Sequence, residues 1–132
     1  MALAYGAGLA LLMYPAELLK YGALHSGEAV DAVDNEHFFL CLQADAREGL
    51  WTPLHATRGQ DRVLIPETAK SGYPDFVRGL TFYSPDVLWR IPHKAAKKAA
   101  EMARDRSSTV QANRVSTVPA LASFRVAAPV AD

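Results

Sequence analysis

Five polar residues in the middle of the chain have side chains that could carry out acid–base chemistry on a phosphodiester. They are His55, Arg58, Tyr73, Asp75 and Arg78. A histidine can act as a general base near neutral pH, and an arginine can stabilise charge that develops on a phosphate. A small metal-independent RNase of the toxin type would use such a set, with His55 as the base and Arg78 beside the phosphate. These residue types also occur together in ordinary polar segments, so they define a candidate set rather than a motif.

The sequence contains no recognised signature of a metal or cofactor enzyme. We find no Gly-rich phosphate loop, nucleophile elbow or paired zinc ligands. Asp31, Asp34 and His37 are close enough in sequence to be metal ligands, but the acids of a solvated loop explain this spacing better. The single cysteine, Cys41, excludes an intrachain disulfide, and its apolar neighbours indicate a small buried side chain. We therefore expect neither a metal nor a cofactor.

A basic segment at residues 92–106 suggests a second function. It is rich in Ala and Lys and starts with a proline, which predicts a helix. Cationic side chains within it, and one just before it, could contact nucleic-acid phosphates: Arg90, Lys94, Lys97, Lys98 and Arg104. The formal net charge of the chain is zero, and Glu101 and Asp105 dilute the local charge. A solvated helix face therefore competes with nucleic-acid binding as the explanation.

Large aromatic side chains favour a third function, which is interaction with another protein or with a second copy of the chain. Trp51, Tyr73, Phe76 and Trp89 exceed what a small sheet must bury, and Trp and Tyr are typical of interface centres. Packing on the second face of the core is the alternative role for them. A protein-interaction module requires the fewest specific residues of the three functions. We therefore expect it first, ahead of a nucleic-acid-binding protein and an RNase.

The element that must position these residues is the segment HFFLCLQ around Cys41. Phe38, Leu40 and Leu42 alternate with Phe39 and Cys41, so both faces of an extended chain would be apolar. A strand with one face in water would alternate apolar and polar residues instead. The segment therefore predicts a central strand that is covered on both sides.

Further strands are predicted at residues 50–56, 62–65 and 80–83, with a hairpin turn between the first two. A short helix is predicted at residues 14–21. The predicted fold class is α+β: a short N-terminal helix, a small antiparallel meander of three to four strands, and a C-terminal Ala/Lys-rich helix. A small half-open β-barrel closed by the C-terminal helix is the alternative.

The 132 residues suffice for one domain, and half of them are apolar, as in globular proteins. We expect an N-terminal extension with the short helix and an acidic loop (1–35), a folded α+β core (36–106) and a disordered tail (107–132). The apolar run at residues 2–14 is shorter than the roughly 20 residues of a membrane span, and the first positive charge, Lys20, follows it. One cysteine fits a reducing compartment, so the expected location is the cytoplasm.

Overall fold

The computed structural model describes residues 5–25, 37–102 and 113–124. The described strands are β1 (Ala10–Met13), β2 (Leu24–His25), β3 (His37–Ala44), β4 (Glu48–His55), β5 (Val63–Ile65), β6 (Lys70–Ser71), β7 (Thr81–Tyr83), β8 (Trp89–Pro92) and β9 (Arg114–Val115). The described helices are α1 (Pro15–Lys20), α2 (Pro74–Val77) and α3 (His93–Met102), with 3₁₀ turns at Glu67–Ala69 and Leu121–Ser123. The α+β class with an antiparallel sheet is confirmed. The described strands do not close into a barrel, so the alternative prediction was wrong. Among these residues, no helix has the length and apolar character that crossing a membrane requires.

The main sheet is built around β4. One edge of β4 pairs antiparallel with β3, and β3 pairs with β1. The other edge is shared, because β8 pairs with the first half of β4 and β7 with its end. Beyond β4 the sheet therefore has two arms, one continuing from β8 to β2 and the other from β7 to β5. A separate two-stranded ladder joins β6 to β9.

The predicted meander is correct for its first hairpin and wrong after it. β5 does not pair with β4, because β7, which comes later in the chain, lies between them. All three residues of β7 are buried, whereas two of the three in β5 are exposed. The more apolar environment therefore goes to β7, and β5 occupies the outer position. The chain after Ser84 forms β8, which buries Trp89 and Ile91.

β3 is covered on both faces, as its two apolar faces predict. Phe39 and Cys41 belong to a core cluster that includes residues of α1 and α3. Leu40 and Leu42 belong to a second cluster on the opposite face, which also contains Phe76 of α2. All of these side chains are buried. The prediction of a central strand between two layers is confirmed.

The alanines of α3 pack against the first of these layers. Ala95, Ala96, Ala99 and Ala100 are each at most 1% exposed, and the helix contacts α1, β1 and β8. The distance between packed elements depends on the side chains at the contact, so methyl groups allow a close approach. An alanine face buries little area for each residue, and close packing is the way in which it can contribute to stability.

β3 contains a β-bulge at Leu42. Gln43 pairs with Leu50 and Cys41 pairs with Trp51, so Leu42 is an extra residue on the β3 side of the ladder. From Cys41 towards the start of β3, every residue is displaced by one position relative to a regular ladder. The bulge therefore determines which side chains of β3 and β4 face each other at the far end of the hairpin.

Parts of the predicted extension and of the predicted tail form paired strands. β1 is fully buried beside β3, and β9 pairs with β6, which extends the structure beyond residues 36–106 in both directions. The acidic residues Asp31 and Asp34 of the predicted loop lie outside the described residues, as do residues 103–112 and 125–132. The boundaries near residues 36 and 106 stay a prediction.

Candidate functional site

A cleft of about 410 Å³ opens at the end of the sheet where β3 begins and β4 ends. Because it lies at the strand ends, both faces of the sheet contribute side chains to its lining. The cationic and titratable side chains of the lining are His37, His55, Arg62 and Arg78. None of the described residues that line the cleft carries a carboxylate. Arg62 and Arg78 therefore supply positive charge to which an anionic ligand would be attracted.

Two of these side chains, His37 and His55, come from the adjacent strands β3 and β4. The β3–β4 ladder extends to the Phe39–Pro53 pair, and alternation along each strand beyond that pair puts His37 and His55 on the same face of the sheet. Both histidines are partly buried in the lining of the cleft. The structure thus brings two imidazole groups to one cleft, from the start of β3 and the end of β4.

The bulge at Leu42 is the cause of this arrangement. A regular ladder that continued from the Gln43–Leu50 pair would have put Phe38 opposite His55. His37 would then have pointed to the other face, since a shift of one residue moves a strand's side chains to the opposite side. The extra residue re-aims the start of β3 and puts His37 on the same face of the sheet as His55.

Arg62 is tied to the loop that precedes β5. Its Nη1 atom donates hydrogen bonds to the carbonyl oxygen of Thr57 at 2.9 Å and to Oγ1 of the same threonine at 3.0 Å. Gly59 leaves room for the side chain, because a Cβ atom at that position would lie 2.9 Å from Cδ of Arg62. These contacts fix the stem of Arg62 along the loop and keep its guanidinium at the edge of the cleft.

Arg78 is exposed and lies in a loop that the buried Lys70 fastens. Nζ of Lys70 donates to the carbonyl oxygens of Gly79 at 3.0 Å and Phe76 at 3.4 Å, and to Oγ1 of Thr81 at 2.9 Å. Lys70 is 7% exposed, and this burial lowers the pKa of its amine. Because two of its acceptors flank Arg78 in sequence, Lys70 positions the backbone that presents Arg78 to the cleft.

Apolar side chains form the remaining walls. The rings of Phe38 and Phe76 lie 5.2 Å apart at a tilt of 53°, and Leu54 lies beside them in the lining. Leu80 is 39% exposed at the rim. A cleft whose lining combines cationic groups with aromatic and aliphatic groups suits a ligand with an anionic part and a flat apolar part.

The structure brings together two of the five predicted catalytic residues, His55 and Arg78. Arg58 is not part of the lining, and its guanidinium lies 5.6 Å from the ring centre of Phe82. Tyr73 is 42% exposed outside the cleft, with its backbone N–H donating to Oδ1 of Asn113 at 2.8 Å. Asp75 belongs to α2, and its side chain lies outside the described residues.

Sequence reasoning missed His37 and Arg62 as members of this set. His37 could have been predicted from the pairing of two strands across a short turn, but only if the position of the bulge had been known. Arg62 had no signal beyond its place at the start of a predicted strand. Its role depends on a contact with Thr57 that only the folded loop creates.

Three of the four aromatic residues predicted to bind a partner lie in the core. Trp51 and Trp89 are 0% exposed and Phe76 is 2% exposed. Trp51 pairs with Trp89 across β4 and β8, and both belong to the cluster beneath α3. These three side chains therefore stabilise the interior, and Tyr73 is the member of the set that reaches the surface.

The predicted nucleic-acid-binding residues are separated by the structure. Nε of Arg90 lies 2.7 Å from Oε2 of Glu48, so this charge is already paired. Lys94, Lys97 and Lys98 are exposed on the outer face of α3. Arg104 lies outside the described residues. None of the described members of this set lines the cleft.

A second polar cluster connects the β3–β4 turn to α3. Nε2 of His93 donates to the carbonyl oxygen of Asp45 at 2.7 Å, and the His93 backbone N–H donates to that of Arg47 at 2.8 Å. The ring of Tyr5 stacks on His93 at 4.2 Å, and burial raises the pKa of Tyr5 to about 12. The backbone N–H groups of Arg47 and Glu48 bind the Asp45 carboxylate and lower its pKa. These contacts fasten the turn to the helix and have a structural role.

Comparisons with known proteins give no match: no family model, no curated protein and no solved structure matches the chain. Among the described residues, no group of three His, Cys, Asp or Glu side chains is arranged to hold a metal ion. Function must therefore be argued from the chemistry of the cleft itself.

Proposed function

We propose that the protein binds a phosphate-bearing ligand with a flat apolar part, of the kind that a single-stranded RNA segment provides, in the cleft at the end of β3 and β4. The observation that carries this proposal is the convergence of His37, His55, Arg62 and Arg78 on one cleft whose described lining lacks a carboxylate. A chain with zero net charge has no general attraction for nucleic acid, so a local concentration of cationic groups is informative.

The two arginines are suited to the phosphate. A guanidinium offers several donors in a planar fork that matches phosphate oxygens, and such charge-assisted hydrogen bonds are the stronger class. Arg62 is held along its loop by Thr57, so less side-chain freedom is lost when it binds. A hydrogen bond to a charged group contributes about 1.5–3 kcal/mol, which corresponds to roughly a 10- to 150-fold change in affinity.

The apolar walls are suited to a base. Stacking of a base on an aromatic side chain contributes about 1–3 kcal/mol and tolerates any base identity. Phe38 and Phe76 supply aromatic surface within the cleft, and Leu80 adds exposed aliphatic surface at its rim. The volume of about 410 Å³ lies within the range of small-ligand sites and accommodates one nucleotide unit rather than a duplex.

The two other functions stay predictions. Interaction with another protein is not supported by Trp51 and Trp89, because both side chains are buried in the core. The lysines of α3 form an exposed basic face, but a solvated helix face explains them equally well. The cleft is the feature that combines cationic groups with apolar surface, and we therefore rank it first.

The test measures binding of a fluorescein-labelled oligouridine RNA by fluorescence anisotropy at low salt. Arg62→Ala and Arg78→Ala should each raise the Kd by about tenfold or more, since each removes a charge-assisted contact. Arg58→Ala is the matched control, because this nearby arginine does not line the cleft. Lys97→Ala combined with Lys98→Ala tests the helix.

Binding that resists both cleft variants but is lost with the helix variant would assign RNA binding to α3. Failure of the unaltered protein to bind the RNA, or nucleotides at millimolar concentration, would refute the proposal. Raising the salt should weaken binding, because phosphate contacts release counterions.

A further inference from the structure

We infer that His37 and His55 act together as the general base and general acid of an RNA-cleaving site, an inference that rests on the proposed binding of a phosphate-bearing ligand in the cleft. The observation behind it is that both histidines, which belong to the same face of the adjacent strands β3 and β4, line the cleft that also holds Arg62 and Arg78. Phosphate binding alone would require cations, and a second histidine in the same cleft adds a capacity for proton transfer.

Cleavage of RNA requires proton transfer at two oxygen atoms that lie on opposite sides of one phosphorus. The attacking oxygen loses a proton, and the leaving oxygen gains one. His37 and His55 enter the lining from two neighbouring strands. A phosphate bound between them would have one ring beside each of the two oxygens.

The reaction balances without any further reactant. The neutral histidine accepts the proton of the ribose 2′-hydroxyl, and the 2′-oxygen forms a bond to phosphorus. The bond between phosphorus and the 5′-oxygen breaks, and the protonated histidine donates its proton to that oxygen. The products are a 2′,3′-cyclic phosphate and a free 5′-hydroxyl, with no change in oxidation state. Histidine is suited to both roles, because its ordinary pKa near 6.5 allows either protonation state near neutral pH.

The two arginines complete the chemistry. Negative charge accumulates on the non-bridging oxygens as the phosphorus becomes five-coordinate, and preorganised cations stabilise that charge. Arg62 is fixed by Thr57, and Lys70 holds the loop that presents Arg78. Lys70 is therefore a positioning residue, whereas the two histidines and two arginines are the groups that would touch the substrate.

The experiment uses two oligonucleotides of the same sequence, each with a fluorophore and a quencher at its ends. One is RNA, and the other has a 2′-deoxyribose at every position and so lacks the attacking hydroxyl. The RNA should be cleaved in the presence of EDTA, and mass spectrometry should show the 2′,3′-cyclic phosphate end. The deoxy oligonucleotide should bind with a similar Kd and remain intact.

The variants are His37→Gln and His55→Gln, which keep a polar side chain of comparable size. Each should lower kcat by about 100-fold or more, the usual contribution of a general acid or base, and leave binding of the deoxy oligonucleotide within about threefold. Arg58→Ala serves as the control that leaves cleavage unchanged.

The outcomes separate this inference from the proposed function. RNA that binds in the cleft and stays intact would overturn the inference and leave ligand binding standing. The inference would also be overturned if cleavage persisted in both histidine variants, if it required a metal ion, or if the variants lost deoxy-oligonucleotide binding in proportion to cleavage. Absence of any binding by the unaltered protein would overturn both.

Discussion

Replacement of Ala99 by leucine tests the close packing of α3 directly. Ala99 is 0% exposed, between alanines that are equally buried, on a helix that contacts α1 and β1. A larger side chain has no space there, so the helix must move outward or the leucine must adopt a strained rotamer. Overpacking of this kind costs about 1–3 kcal/mol, and we expect about 3 kcal/mol because both neighbouring elements are themselves packed. For a protein of this size the melting temperature should fall by about 10 °C.

The same position can be tested in the opposite direction. Ala99→Gly removes a buried methyl group, worth about 0.8 kcal/mol, and introduces a glycine into a helix, which costs about 1 kcal/mol. Lys98→Leu and Lys98→Gly are matched controls at the adjacent exposed position. Lys98→Leu should be nearly neutral, and Lys98→Gly should show only the helix cost.

Urea unfolding followed by tryptophan fluorescence is a suitable assay, because both tryptophans are fully buried and become exposed on unfolding. With a typical urea dependence, a loss of 3 kcal/mol should lower the midpoint by about 1.5 M. If Ala99→Leu and Lys98→Leu had unfolding free energies within 0.5 kcal/mol of each other by this assay, the alanine face of α3 would not be packed against the sheet. The description of that layer would then be wrong.

Three further perturbations follow from the buried and hydrogen-bonded groups. Burial raises the pKa of Cys41 to about 11 and that of Tyr5 to about 12. The protonated forms of these two groups therefore contribute fully to the stability of the fold below pH 9, and this contribution is lost as the pH rises towards 12. Cys41→Ala combined with Tyr5→Phe should flatten the loss of stability measured by urea unfolding between pH 8 and 12. Backbone N–H groups lower the pKa of Asp45 below 3.8, so the stability that its carboxylate contributes is present above that pH and is lost as the pH falls through the lowered value. Asp45→Asn should reduce the dependence of unfolding on acid. An unchanged midpoint of acid unfolding would contradict this prediction. Lys70→Met leaves three acceptors without their donor, so it should lower the free energy of unfolding by about 2 kcal/mol and weaken RNA binding. Lys97→Met is the exposed control. Equal effects from the two variants would show that the buried contacts of Lys70 contribute neither to stability nor to binding.

The faces of the two central strands could be predicted from the sequence, because alternation along a strand is a local property. Phe39 and Cys41 do lie opposite the face of Leu40, and Trp51 lies opposite the face of Leu54. The α+β class followed from the same strands and from the alanine-rich helix. These inferences needed no knowledge of which strands are neighbours.

The order of the outer strands could not be predicted in this way. The residues of β5 and β7 are similar in length and apolar character, and their positions depend on the layer beneath them. The apparent excess of aromatic residues had the same origin. β1 contributes Leu11 and Met13 to the cluster that contains Trp51 and Trp89, and Val115 and Phe124 belong to the opposite cluster, which contains Phe76. The aromatic residues were compared with a core of residues 36–106 alone, so the parts of the core that lie in the predicted extension and tail were left out of the comparison.

The candidate site was accessible in part. His55 and Arg78 are close in sequence to other polar residues, and that proximity identified them. His37 required the pairing of β3 with β4, and that pairing contains a bulge at Leu42 that no local Gly or Pro indicates. Side chains that meet through an irregular ladder are beyond reasoning based on residue type and spacing.

The irregular pairing of β3 makes hairpin length as important to the site as the identity of its histidines. One residue inserted between His37 and Cys41, with the turn unchanged, would move His37 to the opposite face of the sheet from His55 and put Phe38 on the face that they now share. Such a protein would contain every side chain named for the cleft and would still lack the histidine pair. Insertions and deletions in this hairpin should therefore be tolerated only where they leave the register of β3 against β4 unchanged.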